Sequence, residues 1–153
     1  MTIYTASYEG RSLEDFVAGL QAAGVRLLVD VREAPVSRKR GFSKHVLAAA
    51  LRDAGIAYHH LRALGCPKPI RDQYRKDCDW QRYTRAFLAH LDGQQSALAE
   101  LAALTAAQAA ALLCYEADFN RCHRTYVARA VAQRTGGAIL HITAGGLVPD
   151  AAL

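Results

Sequence analysis

No apolar stretch in this chain approaches the roughly 20 residues that a membrane-spanning helix requires. The opening Met1-Thr2-Ile3-Tyr4 also lacks the basic and apolar blocks of a secretory leader. Cysteine is scarce: Cys66, Cys78, Cys114 and Cys122 stand at irregular intervals, too few for a disulfide scaffold at a length of 153 residues. Together these absences argue against a membrane protein and against a cystine-stapled secreted module. The expectation is a soluble, cytoplasmic protein with reduced thiols. Internal repeats, low-complexity tracts and linkers are missing as well, and nothing in the pattern speaks to oligomeric state.

What is present begins with an apolar content of 52%, enough for the core of one domain over residues 1–153. The net charge of +5 is unevenly spread. Up to residue 85, fifteen Arg and Lys stand against nine Asp and Glu; beyond it, four stand against five. Two stretches carry the excess: Arg32 to Lys44, with Ser37-Arg38-Lys39-Arg40 inside it, and Arg62 to Arg85, where Tyr74, Trp80 and Tyr83 alternate with arginines. Such a surface is either simply solvated or an electrostatic footprint for nucleic acid.

Strand and helix signals alternate along the chain. Ile3 to Thr5 opens as a strand, Ser12 caps a helix that Gly24 ends, and the continuous apolar run Leu27 to Val31 is the kind found in strands buried on both faces. Ser43 caps a second helix to Ala54-Gly55, and Ile56 to Leu61 forms a third strand. Cys66-Pro67-Lys68-Pro69 breaks the pattern before a helix carrying Tyr83, Phe87, Leu88 and Leu91 and an Ala-rich helix from Gln94 to Leu104. Ala110 to Tyr115 is a fourth strand, Arg121 to Arg134 a helix capped by Asn120, and Ala138 to Ile142 a fifth strand. The alternation predicts a layered α/β fold, a mostly parallel five-stranded sheet with helices on both faces.

In such a sheet the ligand crevice lies beyond the strand carboxyl ends. The loops after strands one, two and four are the polar ones: Tyr8-Glu9-Gly10-Arg11, Arg32 to Lys44, and Glu116 to Arg124. In the last of these, Cys122 and His123 fall in a first helical turn, where backbone N–H groups attract anions and favour a thiolate. His123 has two readings, a general base oriented by Glu116 or Asp118, or a hydrogen-bonded core histidine. Cys122 likewise reads as a nucleophile or as a packing residue. Asp30 and Arg32 end a buried strand and are expected to pair or to hold an arginine ready for an anion. The loop between Cys114 and Arg121 contains no glycine, which argues against a phosphatase-type loop. Cys114 and Cys122 are separated by seven residues, not the two to four of a structural zinc pair, so neither metal nor cofactor is expected.

The blocks YEGRSLEDF, LLVDVREAPVSRKRGFSK, ALRDAGIAYHHL and LLCYEADFNRCHR, in that order, resemble the bacterial family called domain of unknown function 488. The resemblance implies an α/β fold with a polar cleft. It picks out Tyr8, Glu9, Arg11, Asp30, Arg32, Ser37, Arg38, Phe42, Lys44, Cys114, Glu116, Cys122, His123 and Arg124. Where that family reads Thr-Ile-Gly, this chain has Thr5-Ala6-Ser7, replacing the glycine of the first turn. The leading expectation is a phosphate-bearing ligand, a nucleotide or nucleic acid, held by Tyr8, Glu9, Arg11, Asp30, Arg32, Ser37, Arg38, Lys44 and Arg124. His123, Glu116 and Cys122 would then be the catalytic residues. A non-catalytic nucleic-acid module is the alternative, and a thiol or metal protein built on Cys114, Cys122 and His123 the third reading.

Overall fold

The structure is a computed structural model and describes residues 1–151. Its centre is one sheet of six strands: β1 (Thr2–Ser7), β2 (Leu27–Asp30), β3 (Ala57–His60), β4 (Ala110–Cys114), β5 (Ala138–Thr143) and β6 (Gly146–Pro149). Their spatial order is β3-β2-β4-β1-β5-β6, and every neighbouring pair is parallel except β5 with β6. The sixth strand is an addition to the expected five. Its four residues are all exposed, so it carries none of the apolar alternation by which a half-buried strand announces itself.

β2 and β4 are buried along their whole length, which is why they read as unbroken apolar runs. Alternate residues feed two cores. Leu27, Val29, Ala110 and Leu112 pack on one face with Phe87, Leu101 and Val127. Leu28, Ala111 and Leu113 pack on the other with Phe16, Leu20, Leu47 and Leu51. The second face is covered by α1 (Leu13–Ala22) and α2 (Lys44–Asp53). The first is covered by α4 (Trp80–Asp92), α5 (Gln95–Ala107) and α6 (His123–Thr135), with the short α3 (Lys68–Asp77) at its rim.

The helix α3 replaces what the sequence suggested was an irregular stretch. Pro67 caps it and Pro69 sits in its first turn, a position where the missing N–H costs nothing, so the prolines start the helix instead of breaking it. The start of α6 also differs from expectation. Asp118, not Asn120, caps a 3₁₀ turn at Phe119–Arg121, and Cys122 is the N-cap of α6.

Connections set the site. The chain leaves β1 toward α1 on one face and leaves the adjacent β4 toward α6 on the other. Loops that part in this way open a crevice between the two strand ends, the switch point of an open parallel sheet.

Candidate functional site

At that switch point lies a cavity of about 220 Å³, lined chiefly by Tyr8, Arg32, Cys66, Arg71, Arg75, Cys114, Glu116 and His123. Two larger hollows, of about 630 and 690 Å³, share Leu88, Leu91, Ala130 and Gln133 at the other end of α6. They are bigger but lack a reactive cluster: Arg134 in the first donates to Gln95, and Arg129 and Asp150 in the second are closed on each other with contacts of 2.9 and 3.0 Å. The smaller cavity is where reactive groups converge.

Its floor on the β2 side is a locked network. Asp30, fully buried, accepts from Arg32 Nε at 2.9 Å and from a second guanidinium nitrogen at 2.7 Å, and also accepts from the Tyr58 hydroxyl. The remaining nitrogen of Arg32 donates to the Tyr8 hydroxyl at 3.1 Å and to the Phe42 carbonyl at 2.7 Å. Tyr8 in turn stacks on Phe42 with ring centroids 4.5 Å apart. Burial works against the Arg32 charge, but the bonds and charge of Asp30 more than restore it, and its pKa is raised. Burial and then Asp30 push the Tyr58 hydroxyl up as well. Arg32 therefore spends most of its donors on Asp30, Tyr8 and Phe42, which makes it the locally paired arginine of the two roles expected for it.

The opposite wall is a sulfur and imidazole cluster. The Cys114 and Cys122 sulfurs and a ring nitrogen of His123 all lie within 4.8 Å of one another. Cys114 Sγ is 3.6 Å from His123 Nδ1 and donates to Glu116 Oε2 at 3.4 Å. His123 Nε2 donates to the Val31 carbonyl at 2.6 Å, which fixes a proton on Nε2 and turns Nδ1 toward the thiols. Both ring nitrogens are thus engaged.

The titration of the cluster follows from this packing. Burial opposes a thiolate at Cys122. The close approach of Cys114, the charge of Arg124 and the contact and charge of His123 overcome that opposition and hold Cys122 well below the usual thiol range. Cys114 moves the other way, first through its bond to Cys122 and then through burial. Burial alone would lower His123, yet the bond and charge of Cys122 raise it. Glu116 is pushed up to about 7 by burial and then by the charge of Cys122. At the cavity rim, burial pushes Cys66 up to about 11.

Arg124 lies behind this wall, 1% exposed, with one nitrogen donating to the Glu116 carbonyl at 2.7 Å. Its Nε is buried without a hydrogen-bond partner. Among the described residues it forms no salt bridge to a carboxylate.

Of the residues singled out in the sequence, Tyr8, Arg32, Cys114, Glu116 and His123 line the cavity, with Asp30, Cys122 and Arg124 directly behind them. The others serve elsewhere. Glu9 accepts from the Ala117 N–H at 2.8 Å and ties down the loop after β4. Arg11 bends back to the Asp15 carbonyl at 3.0 Å. Ser37 and Ser43 bond to each other and fold the basic loop, Arg38 is exposed on it, and Lys44 begins α2. Tyr74, Trp80 and Tyr83 spend their faces on one another, the last two stacked at 4.5 Å.

Sequence reasoning missed Tyr58, Gly65 and Cys66, and it put Arg71 and Arg75 in a basic, aromatic stretch without bringing them to this cavity. Arg71 donates to Glu33 at 2.8 Å and to the Cys66 carbonyl at 3.1 Å. A Cβ at Gly65 would sit 2.3 Å from the Glu33 nitrogen, so only glycine lets the two loops touch. The signal for it was weak: one glycine beside a Cys-Pro dipeptide.

The motifs on these two walls can now be set against known proteins. A family model described as Domain of unknown function DUF488 matches residues 12–131. The chain belongs to that family. Neither a curated protein nor a solved structure matches it. The matched span contains Asp30, Arg32, Arg71, Arg75 and the whole Cys114–Arg124 segment, and Tyr8 stands just ahead of it.

A second hydrogen-bonded series has the order hydroxyl, imidazole, carboxylate. Thr5 Oγ1 meets His141 Nδ1 at 2.6 Å, and His141 Nε2 donates to Asp150 at 3.0 Å. Thr5 and His141 are fully buried and Phe119 lies flat on the imidazole at 3.8 Å. Buried in this way, the series works as a clasp that ties Asp150, just after β6, to β5 and β1.

Proposed function

We propose that the cavity between the β1, β2 and β4 strand ends binds a small phosphate-bearing ligand, with the Cys114, Glu116 and His123 wall as its reactive side. One observation carries this reading: two cationic side chains, Arg71 and Arg75, line the same cavity as that cluster. Arg75 is 71% exposed and holds only a peripheral contact to Asp72 at 3.3 Å, so its charge is available to a ligand. At about 220 Å³ the cavity suits a phosphate group with a small attachment, not a length of polynucleotide. Trp80 and Tyr83 are stacked on each other and Tyr74 packs edge-on against both, an arrangement that offers bases little splayed aromatic platform and favours a small ligand over nucleic acid. In this reading His123 is a fixed member of the wall, since its two nitrogens are occupied.

Calorimetric titration with inorganic phosphate and a nucleoside monophosphate tests it. Binding is expected in the wild type, and Arg75→Ala should weaken it about tenfold by removing one charge-assisted hydrogen bond. Arg38→Ala, on the exposed loop, should leave the affinity unchanged. No binding by either ligand, or an equal loss in Arg38→Ala, removes the proposal.

A further inference from the structure

We propose that Cys114, Cys122 and His123 bind a divalent ion of the zinc class, with Glu116 as the fourth ligand on the cavity side. The spacing argument against metal in the linear sequence dissolves in three dimensions. Cys114 ends a strand, Cys122 caps the following helix, and the intervening loop folds back so that the three donor atoms lie within 4.8 Å of one another.

The separations suit the chemistry. Tetrahedral zinc holds sulfur at about 2.3 Å and nitrogen or oxygen at about 2.0–2.2 Å, which places neighbouring ligand atoms roughly 3.5–3.8 Å apart. The sulfur of Cys114 is 3.6 Å from His123 Nδ1 and 3.4 Å from Glu116 Oε2. Glu116 stands outside this three-residue group, so its side chain must swing in from the cavity to complete the set on an ion. Two soft sulfurs with one imidazole select zinc or a similar transition ion over magnesium or calcium, which prefer oxygen.

Three surrounding features fit a metal centre. The Val31 carbonyl accepts from His123 Nε2, the outer contact that orients ligating histidines and leaves the other nitrogen for the ion. Cys122 sits at the amino end of α6, where the helix dipole favours a thiolate. Arg124 is a buried cation with no carboxylate partner among the described residues and an unpartnered Nε. A buried guanidinium demands nearby negative charge. Two thiolates and the Glu116 carboxylate supply more than it needs, and a divalent ion brings the assembly to neutrality. Cys114, Glu116 and His123 all face the cavity, which gives the ion an entry path.

Cobalt titration of the full chain, reduced and stripped with chelator, is the test. A thiolate-to-cobalt charge-transfer band with tetrahedral ligand-field absorption should saturate at about one ion per chain and be displaced by zinc. Cys122→Ser and His123→Gln should weaken binding about 100-fold or more, whereas Cys78→Ser, at an exposed cysteine, should not. Glu116→Gln guards against misfolded cysteine variants: it should keep the charge-transfer band but alter the ligand-field bands.

A folded, reduced wild type without the band overturns the site, as does loss of binding in Cys78→Ser. A Cys114–Cys122 disulfide that forms equally fast with and without zinc also overturns it. The ion shares a wall with the phosphate cavity but is titrated alone. Arg75→Ala should retain the full cobalt spectrum, so the two proposals fail separately.

Discussion

At the scale of single residues the floor of the cavity depends on one ion pair. Asp30 and Arg32 are 0% and 6% exposed and joined at 2.7 Å. Asp30→Asn leaves a buried guanidinium uncompensated, and the expected loss is about 3–5 kcal/mol by urea denaturation. Lys68→Ala, which removes an exposed pair with Asp72, should leave the denaturation midpoint unchanged. Gly65→Ala forces a Cβ into the Glu33 backbone. It should cost about 1–3 kcal/mol as an overpacking change and, by shifting Glu33 and Arg71, weaken ligand binding in the same calorimetric assay. The pairing of Asp30 with Arg32 was legible in the sequence because two residues of opposite charge at a buried strand end have few other options. Tyr58, twenty-eight positions from Asp30, was not: a side chain that meets its partner through an adjacent strand leaves no local trace.

Elements were read most securely where a local signal and the tertiary structure agree. Ser12 is such a case, its hydroxyl accepting from the Asp15 N–H at 3.1 Å, and Ser12→Ala should destabilise the protein by about 1 kcal/mol. Ser43 occupies the matching position before α2 but makes no side-chain cap, bonding across to Ser37 instead. The edge hairpin of β5 and β6 is held by polar contacts, and this gives it a pH dependence. Burial holds the His141 pKa below its ordinary value despite the opposing pull of Asp150. Folding therefore disfavours the protonated ring, and the associated stability is lost as pH falls below the unfolded value near 6.5. Asp150 resists burial through its bonds to Arg129 and His141, so its own contribution persists until pH falls below about 3.8. Comparing urea midpoints between pH 7.5 and 5 should show a gentler decline in His141→Gln than in the wild type. A parallel decline in both would contradict this account of the clasp.

For the whole molecule, burial predicts a gradient of stability across the sheet. Amide hydrogen exchange should be slowest in β2 and β4, buried along their full length, and fastest in β6, exposed along its own. The amino-acid sequence by itself determined the α/β layering, the parallel core strands and the edge of the sheet where polar loops collect. Each of these follows from periodicity, capping and strand-end chemistry that act over a few residues. It also marked the Cys122-His123-Arg124 segment. Only the tertiary structure decided what those residues do. The switch point between β1 and β4 brings Cys114 against Cys122 and His123 and carries Arg71 and Arg75 in from α3. Meanwhile the Asp30 network takes up most of the Arg32 donors, and the backbone of α1 claims Arg11. A guanidinium has the same formal charge wherever the chain places it. Whether that charge remains available to a ligand depends on which partners the crossovers have already put within about 3 Å of it.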